Sequence, residues 1–143
     1  MSDVKNDDKA DRTFESVEFG EELPDFEPDV SLPNVKRFAH AANMVTGRFT
    51  DHEEARAAGL PGAIVPGIMS QGILVAMIHR WAPNATLVAV DTIFRAPLLV
   101  DSTPVASAVV TDIDEDERVI ELDLMLKNER GETPVVGTAR ISL

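Results

Sequence analysis

Three imidazoles are available for proton transfer, His40, His52 and His79, and no Cys is present to act as a nucleophile or thiolate ligand. His52 follows Asp51 directly, and a carboxylate beside an imidazole has the composition of a general acid–base pair. Consecutive residues of a helix face apart, however. Asp51 also has Glu54 three residues on, the spacing of a helix N-cap with a capping box. His40 falls on the side of a predicted helix that carries Lys36 and Asn43; that side faces solvent or the mouth of a pocket. His79 lies near the end of an apolar helix, where its cation suits the dipole, and a structural role is expected. Pro66-Gly67 opens that same helix. Backbone N–H groups at such a start are unpaired and can hold an anion or a developing oxyanion; equally, Pro-Gly there is an ordinary helix start.

Other chemical templates are absent. No pair of His and carboxylates has metal-ligand spacing. There is no Gly-rich phosphate loop, no G-x-S-x-G elbow and no internal repeat. Neither a metal nor a cofactor is therefore expected.

The elements that must position these residues can be read from periodicity. Phe14, Val17 and Phe19 give a weak strand signal ended by Gly20. Pro24, Pro28 and Pro33 make the next stretch an extended connector. The segment Asn34 to Met44 reads as a helix with Val35, Phe38, Ala39 and Ala42 on one face, closed by Thr46 and Gly47. A short helix runs from Asp51 to Ala58 and stops at Gly59. A longer one runs from Pro66-Gly67 to about Trp81. Its apolar residues cover nearly the whole circumference, which predicts burial on all sides. Four strand-like stretches follow: Leu87 to Arg95, Val105 to Asp112, Arg118 to Lys127 and Val135 to Leu143. In the third, Ile120, Leu122, Leu124 and Leu126 alternate with polar residues. Turns at 114–116 and 128–133 predict hairpins. Asp91 falls on the Leu87, Ala89 and Ile93 side of its strand and is a candidate buried carboxylate. Helices first and antiparallel strands after them make an α+β pattern, a sheet curled around one long helix.

The 143 residues suit one domain, expected at 14–143, preceded by a disordered acidic tail at 1–13. The formal net charge of −12 is local. Residues 14–29 hold seven acids and no base, residues 112–117 hold five acids and no base, and the rest of the domain is close to neutral. Acidity of this kind excludes a nucleic-acid partner. It does not exclude an anionic small ligand near the chemically suggestive residues, which lie outside both runs. The N-terminus has no apolar stretch of signal-peptide type. The longest uncharged run, Ala57 to Ile78, is interrupted by Pro61-Gly62 and Pro66-Gly67 and does not read as a membrane span. A cytoplasmic protein without membrane association is expected.

The segment FTDHEEARAAGLPGAIVPG, from Phe49 to Gly67, resembles the signature of the MaoC-like (R)-specific enoyl-CoA hydratases. That pattern is D-x-N-P-x-H-x-D-x-x-x-A-x-x-x-G-F/L, then an apolar pair and H-G. Asp51, Ala55, Gly59, Leu60, Ile64, Val65 and Gly67 match it in step. FRAP at Phe94 to Pro97 resembles a later strand–loop piece of the same family. The resemblance covers 14–143. It implies a hotdog fold, in which the sheet wraps the long helix. It implies dimers, homodimeric or formed with another hotdog subunit, and an acyl-CoA or acyl-carrier thioester as ligand. Arg48, Arg56 and Arg95 are candidates by position for the CoA diphosphate.

The family's hydration reaction needs a carboxylate and an imidazole to hold and deprotonate water. The matching positions here are Met44 and Phe49, and Pro66 stands where the family has His before Gly67. None of these side chains transfers a proton. Asn43, next to Met44, can hydrogen-bond a water but not act as its base. Gly67 remains as the expected thioester-binding amide. The chain is thus read as a non-catalytic or diverged subunit of an enoyl-CoA hydratase or dehydratase. The alternatives are an active homodimeric hydratase using displaced groups among His40, Asn43, Asp51 and His52, or an acyl-CoA binding module without catalysis.

Overall fold

A computed structural model describes residues 11–143. A 3-10 turn at Phe14–Ser16 opens it. Four helices follow: α1 Leu32–Ala41, α2 Gly47–Thr50, α3 His52–Ala57 and α4 Gly67–Trp81. The chain ends in four strands, β1 Thr86–Phe94, β2 Val105–Asp114, β3 Val119–Lys127 and β4 Val135–Ser142. The strands form one antiparallel sheet in the order β1-β4-β3-β2. Both expected hairpins are present, β2–β3 and β3–β4.

Helix α4 lies across the sheet, and the core forms between them. Leu74, Met77 and Ile78 of α4 are buried together with Val110 of β2, Ile120, Leu122, Leu124 and Leu126 of β3, and Val135 and Ile141 of β4. The alternation read in β3 is the cause: its leucines share one face, while Asp123 and Lys127 stand exposed on the other. Full burial of one such side chain stabilises by about 1.5–3 kcal/mol. Gly137 in β4 admits the close approach of β1, since a Cβ there would sit 2.3 Å from the Asp91 carbonyl oxygen.

Several elements differ from the sequence reading, each for a packing reason. Phe14 and Val17 are buried while Phe19 is 74% exposed. The apolar spacing there serves a 3-10 turn, whose repeat is three, and not a strand. Thr46 and Gly47 do not close α1; Thr46 precedes α2 as its N-cap, and α1 stops earlier with Ala42 as its C-cap. Asp91 is exposed, not buried, because a register irregularity between Leu87 and Ala89 breaks the alternation: Leu87 and Val90 both pack on the core, and Asp91 faces the side of the sheet that no layer covers. Helix α4 is not enclosed all round: Ile68 is 60% exposed, and Gly72 and Ala76 lie open on the same stripe.

The proline-rich connector is extended as far as Ser31 and covers the β2 edge, but Pro33 belongs to α1, which starts at Leu32 and not at Asn34 because proline fits a first helical turn. Glu22 bridges Val109 and Phe26 bridges Ala106, both antiparallel. The expected tail at 1–13 lies outside the described residues as far as residue 10. Of the rest, Arg12 stacks on the Trp81 ring 4.7 Å from its centroid, and its Nε donates to the Trp81 carbonyl at the end of α4. Among the described residues no helix is long and apolar enough to cross a membrane.

Candidate functional site

The two stretches of the hydratase-like signature meet at the start of α4. Pro66 caps the helix in extended backbone, and the first helical hydrogen bond runs from Ser70 N to Pro66 O. The amides of Gly67, Ile68 and Met69 precede it and point out of the helix end. The Phe94 ring lies against Gly67; a Cβ on Gly67 would be 3.2 Å from Phe94 Cζ. Residues 95–98 continue from Phe94 as a wall, fixed by Val65 N donating to Leu98 O and Arg95 N donating to Pro134 O.

Between these pieces is a cavity of about 320 Å3, lined by Ile64, Val65, Gly67, Ser70, Phe94 and the 95–98 wall with Val135. No Asp, Glu or His lines it. Its floor is polar at one point, Ser70, which is 1% exposed and is the buried polar side chain of the core. A larger cavity of about 710 Å3 adjoins it across the same 95–98 wall. Arg95, Asn128, Arg130 and Glu132 bound it on the side of the β3–β4 turn. The helix start can donate hydrogen bonds to a carbonyl oxygen held in a mainly apolar slot.

The four displaced candidates lie elsewhere. His40 is exposed on α1. Asn43 is exposed at φ 56° in the turn after α1, a conformation that Asn tolerates well. Asp51 caps α3: its Oδ1 accepts from Glu53 N at 2.9 Å and Glu54 N at 3.1 Å. Met44 and Phe49, at the positions of the family's acid and base, are half-buried. His79 Nε2 donates to Ala85 O at 3.1 Å, a structural role at the end of α4.

His52 turns away from Asp51 and pairs with Asp101 instead. Its Nε2 is 2.8 Å from Asp101 Oδ2, and its Nδ1 accepts from Ala63 N at 3.0 Å. Both ring nitrogens are therefore engaged by protein groups. Asp101 Oδ1 accepts from Leu32 N at 2.9 Å. The His52 hydrogen bond, then that of the Leu32 amide, holds the Asp101 carboxyl below its ordinary value against a small opposing effect of burial. Sequence reasoning missed Asp101, which lies 49 residues from His52. No local spacing announces such a pair. Of the arginines, Arg95 lies at both cavities, Arg56 Nε donates to Pro61 O at 3.2 Å, and Arg48 is exposed. Among the described residues no three His, Asp or Glu groups come together as a metal site.

No protein-family model and no curated protein matches the chain. Solved structures do. An (R)-hydratase from A. caviae involved in PHA biosynthesis superposes with a TM-score of 0.84 at 19% identity, covering 90% of this chain and 98% of that one. The ChsH1-ChsH2 complex from Mycobacterium tuberculosis gives a TM-score of 0.81 at 20% identity, covering 89% of this chain and 98% of that one. The R-hydratase PhaJ1 from Pseudomonas aeruginosa gives 0.83 at 16% identity, covering 90% and 83%. The four-stranded antiparallel sheet wrapped on α4 is thus the hotdog fold, the fold of MaoC-like dehydratases and (R)-hydratases.

Proposed function

We propose that the chain binds an acyl-CoA or acyl-carrier thioester with its carbonyl oxygen at the Gly67 end of α4. It serves as a non-catalytic or diverged subunit of an enoyl-thioester hydratase or dehydratase. The observation that carries this reading is the composition of the Gly67 cavity. It keeps a helix start and an apolar slot, yet carboxylate and imidazole are both absent from its lining. Binding needs the former; adding water across a double bond needs the latter.

A partner follows from the same reading. The β1 edge and the open stripe of α4 expose Val88, Ile93, Phe94 and Ile68, each at least half exposed. An unpaired strand edge flanked by apolar side chains favours addition of another sheet. The partner proposed is another hotdog subunit carrying the proton-transferring pair, since one of the structures of this fold is a two-protein complex.

The test is to assay crotonyl-CoA hydration by the purified chain and to measure CoA-ester binding by calorimetry. Both are then repeated after co-expression with hotdog subunits. The expected result is binding without turnover alone, and turnover in the pair. Robust turnover by the chain alone would overturn the subunit reading in favour of an active homodimer. Binding without any activating subunit would leave a binding module. The geometry does not favour the homodimer, because Asp51 is committed to a cap and His52 to two partners.

A further inference from the structure

Gly67 is delivered to the cavity by the segment 61–66, and that segment is held by few bonds. Ile64 N donates to Arg48 O at 2.8 Å, and Val65 N donates to Leu98 O at 2.8 Å. Ala63 is fully buried; its carbonyl accepts from Val100 N at 2.9 Å, and its amide donates to His52 Nδ1 at 3.0 Å. The last of these is made to an imidazole, and so is the one that depends on a tautomer; the segment's other side-chain bond, Arg56 Nε to Pro61 O, does not. A neutral imidazole accepts at Nδ1 only if its proton sits on Nε2. That proton is directed at Asp101 Oδ2.

The surroundings are built for this contact. Asp101 adopts φ 66°, a left-handed conformation that costs most side chains energy, and is held there by donating its amide to Val30 O at 2.9 Å. Its second oxygen is taken by the Leu32 amide, so the carboxylate cannot turn away without losing a bond. Gly62 leaves the space the ring occupies: a Cβ there would stand 3.0 Å from His52 Nδ1. Arg56 is the nearby cation, from the same helix as His52, and it is tied to Pro61 O.

We propose that Asp101 and His52 are positioning residues for the Gly67 site. Asp101 fixes the Nε2–H tautomer of His52, Nδ1 then holds the buried Ala63 amide, and the segment so anchored sets Gly67 against Phe94. A carboxylate that orders an imidazole in this way is a familiar device where the ring is a catalyst. Here the ring's product is backbone geometry. The substrate side of this inference rests on the thioester reading above; the structural side does not.

The experiment uses the full chain with Asp101→Asn, His52→Asn and His52→Gln. Four quantities are read: the ring nitrogen shifts of His52 by 15N NMR, the amide exchange of Ala63, the Gly67 amide resonance, and affinity for hexanoyl-CoA. An amide at 101 must present its NH2 either to Leu32 N–H or to the ring. Asp101→Asn is therefore expected to shift the tautomer, speed Ala63 exchange about ten- to a hundredfold, move the Gly67 resonance and weaken hexanoyl-CoA binding. His52→Asn puts an amide oxygen where Nδ1 stood and is expected to restore Ala63 protection; His52→Gln is not. Wild-type tautomer and exchange in Asp101→Asn would overturn the proposal. So would faster Ala63 exchange with an unmoved Gly67 resonance, which would make the pair a remote brace. If the wild-type chain binds no hexanoyl-CoA, the thioester reading fails by itself. The ring shifts and the Gly67 resonance then still decide the positioning role.

Discussion

Phe94 covers Gly67: the ring atoms Cζ, Cε1 and Cε2 would lie 3.2, 3.3 and 3.5 Å from a Cβ at that position. A residue ending the first strand thereby forms one side of the slot that the buried helix opens into. The ring is half exposed and free to move by a few tenths of an ångström. Gly67→Ala is therefore expected to fold and to push the ring into the slot. Affinity for a CoA ester should fall about three- to tenfold, a cost of roughly 0.7–1.4 kcal/mol. Phe94→Leu in the same chain should recover part of it. Calorimetry on the three variants checks this, and unchanged affinity in Gly67→Ala would place the ligand elsewhere.

Asp101 makes stability depend on acid. Its carboxyl is held below the ordinary 3.8 by the hydrogen bond from His52 and then by the Leu32 amide. A group depressed in the folded state contributes stability that is fully present above its unfolded value and lost as pH falls through its folded value. Asp101→Asn should thus lower the urea midpoint at pH 7. The gap from wild type should close below pH 3.8, as the native carboxyl takes up its proton. Urea titrations at pH 7, 5 and 3 read this directly; a constant gap at all three would argue against the linkage.

Arg12 closes the far end of α4. Its guanidinium stacks on Trp81 and donates to the Trp81 carbonyl, while its backbone pairs with Asn84 through two hydrogen bonds of 3.0 and 2.8 Å. Trp81 Nε1 in turn donates to Glu21 Oε2 at 3.3 Å. Arg12→Ala should cost about 1 kcal/mol through the lost cation–π contact and helix-end charge. Arg12→Lys should cost less than that, though more than nothing, because an ammonium cannot stack as a planar fork. Thermal melts of the two variants give the order.

The exposed β1 edge predicts association. Ile93→Lys places a charge on a side chain that is 60% exposed and outside the core. The isolated chain should keep its melting temperature within a degree or two, since surface changes seldom exceed about 0.5 kcal/mol. Its elution with a co-expressed hotdog subunit should shift from complex to free chain. A complex that forms equally well would move the interface to another face.

The layers of the fold are legible in the sequence. The alternation of Ile120, Leu122, Leu124 and Leu126 has one physical outcome, a strand with one buried face. The apolar run from Gly67 to Trp81 likewise has to cross that face. Asp51 was readable as a cap because its partners, the amides of Glu53 and Glu54, are two and three residues away. Phe94 and Gly67 were both legible as pieces of one signature, though not as neighbours. The tertiary structure alone decided what depends on distant chain meeting. A register irregularity in β1 exposed Asp91, a 3-10 repeat replaced the strand signal at Phe14, and one stripe of α4 stayed open. Above all, His52 left the carboxylate beside it for Asp101, 49 residues on. Adjacency on a helix separates side chains, and only the folded loops could bring a carboxylate to the imidazole.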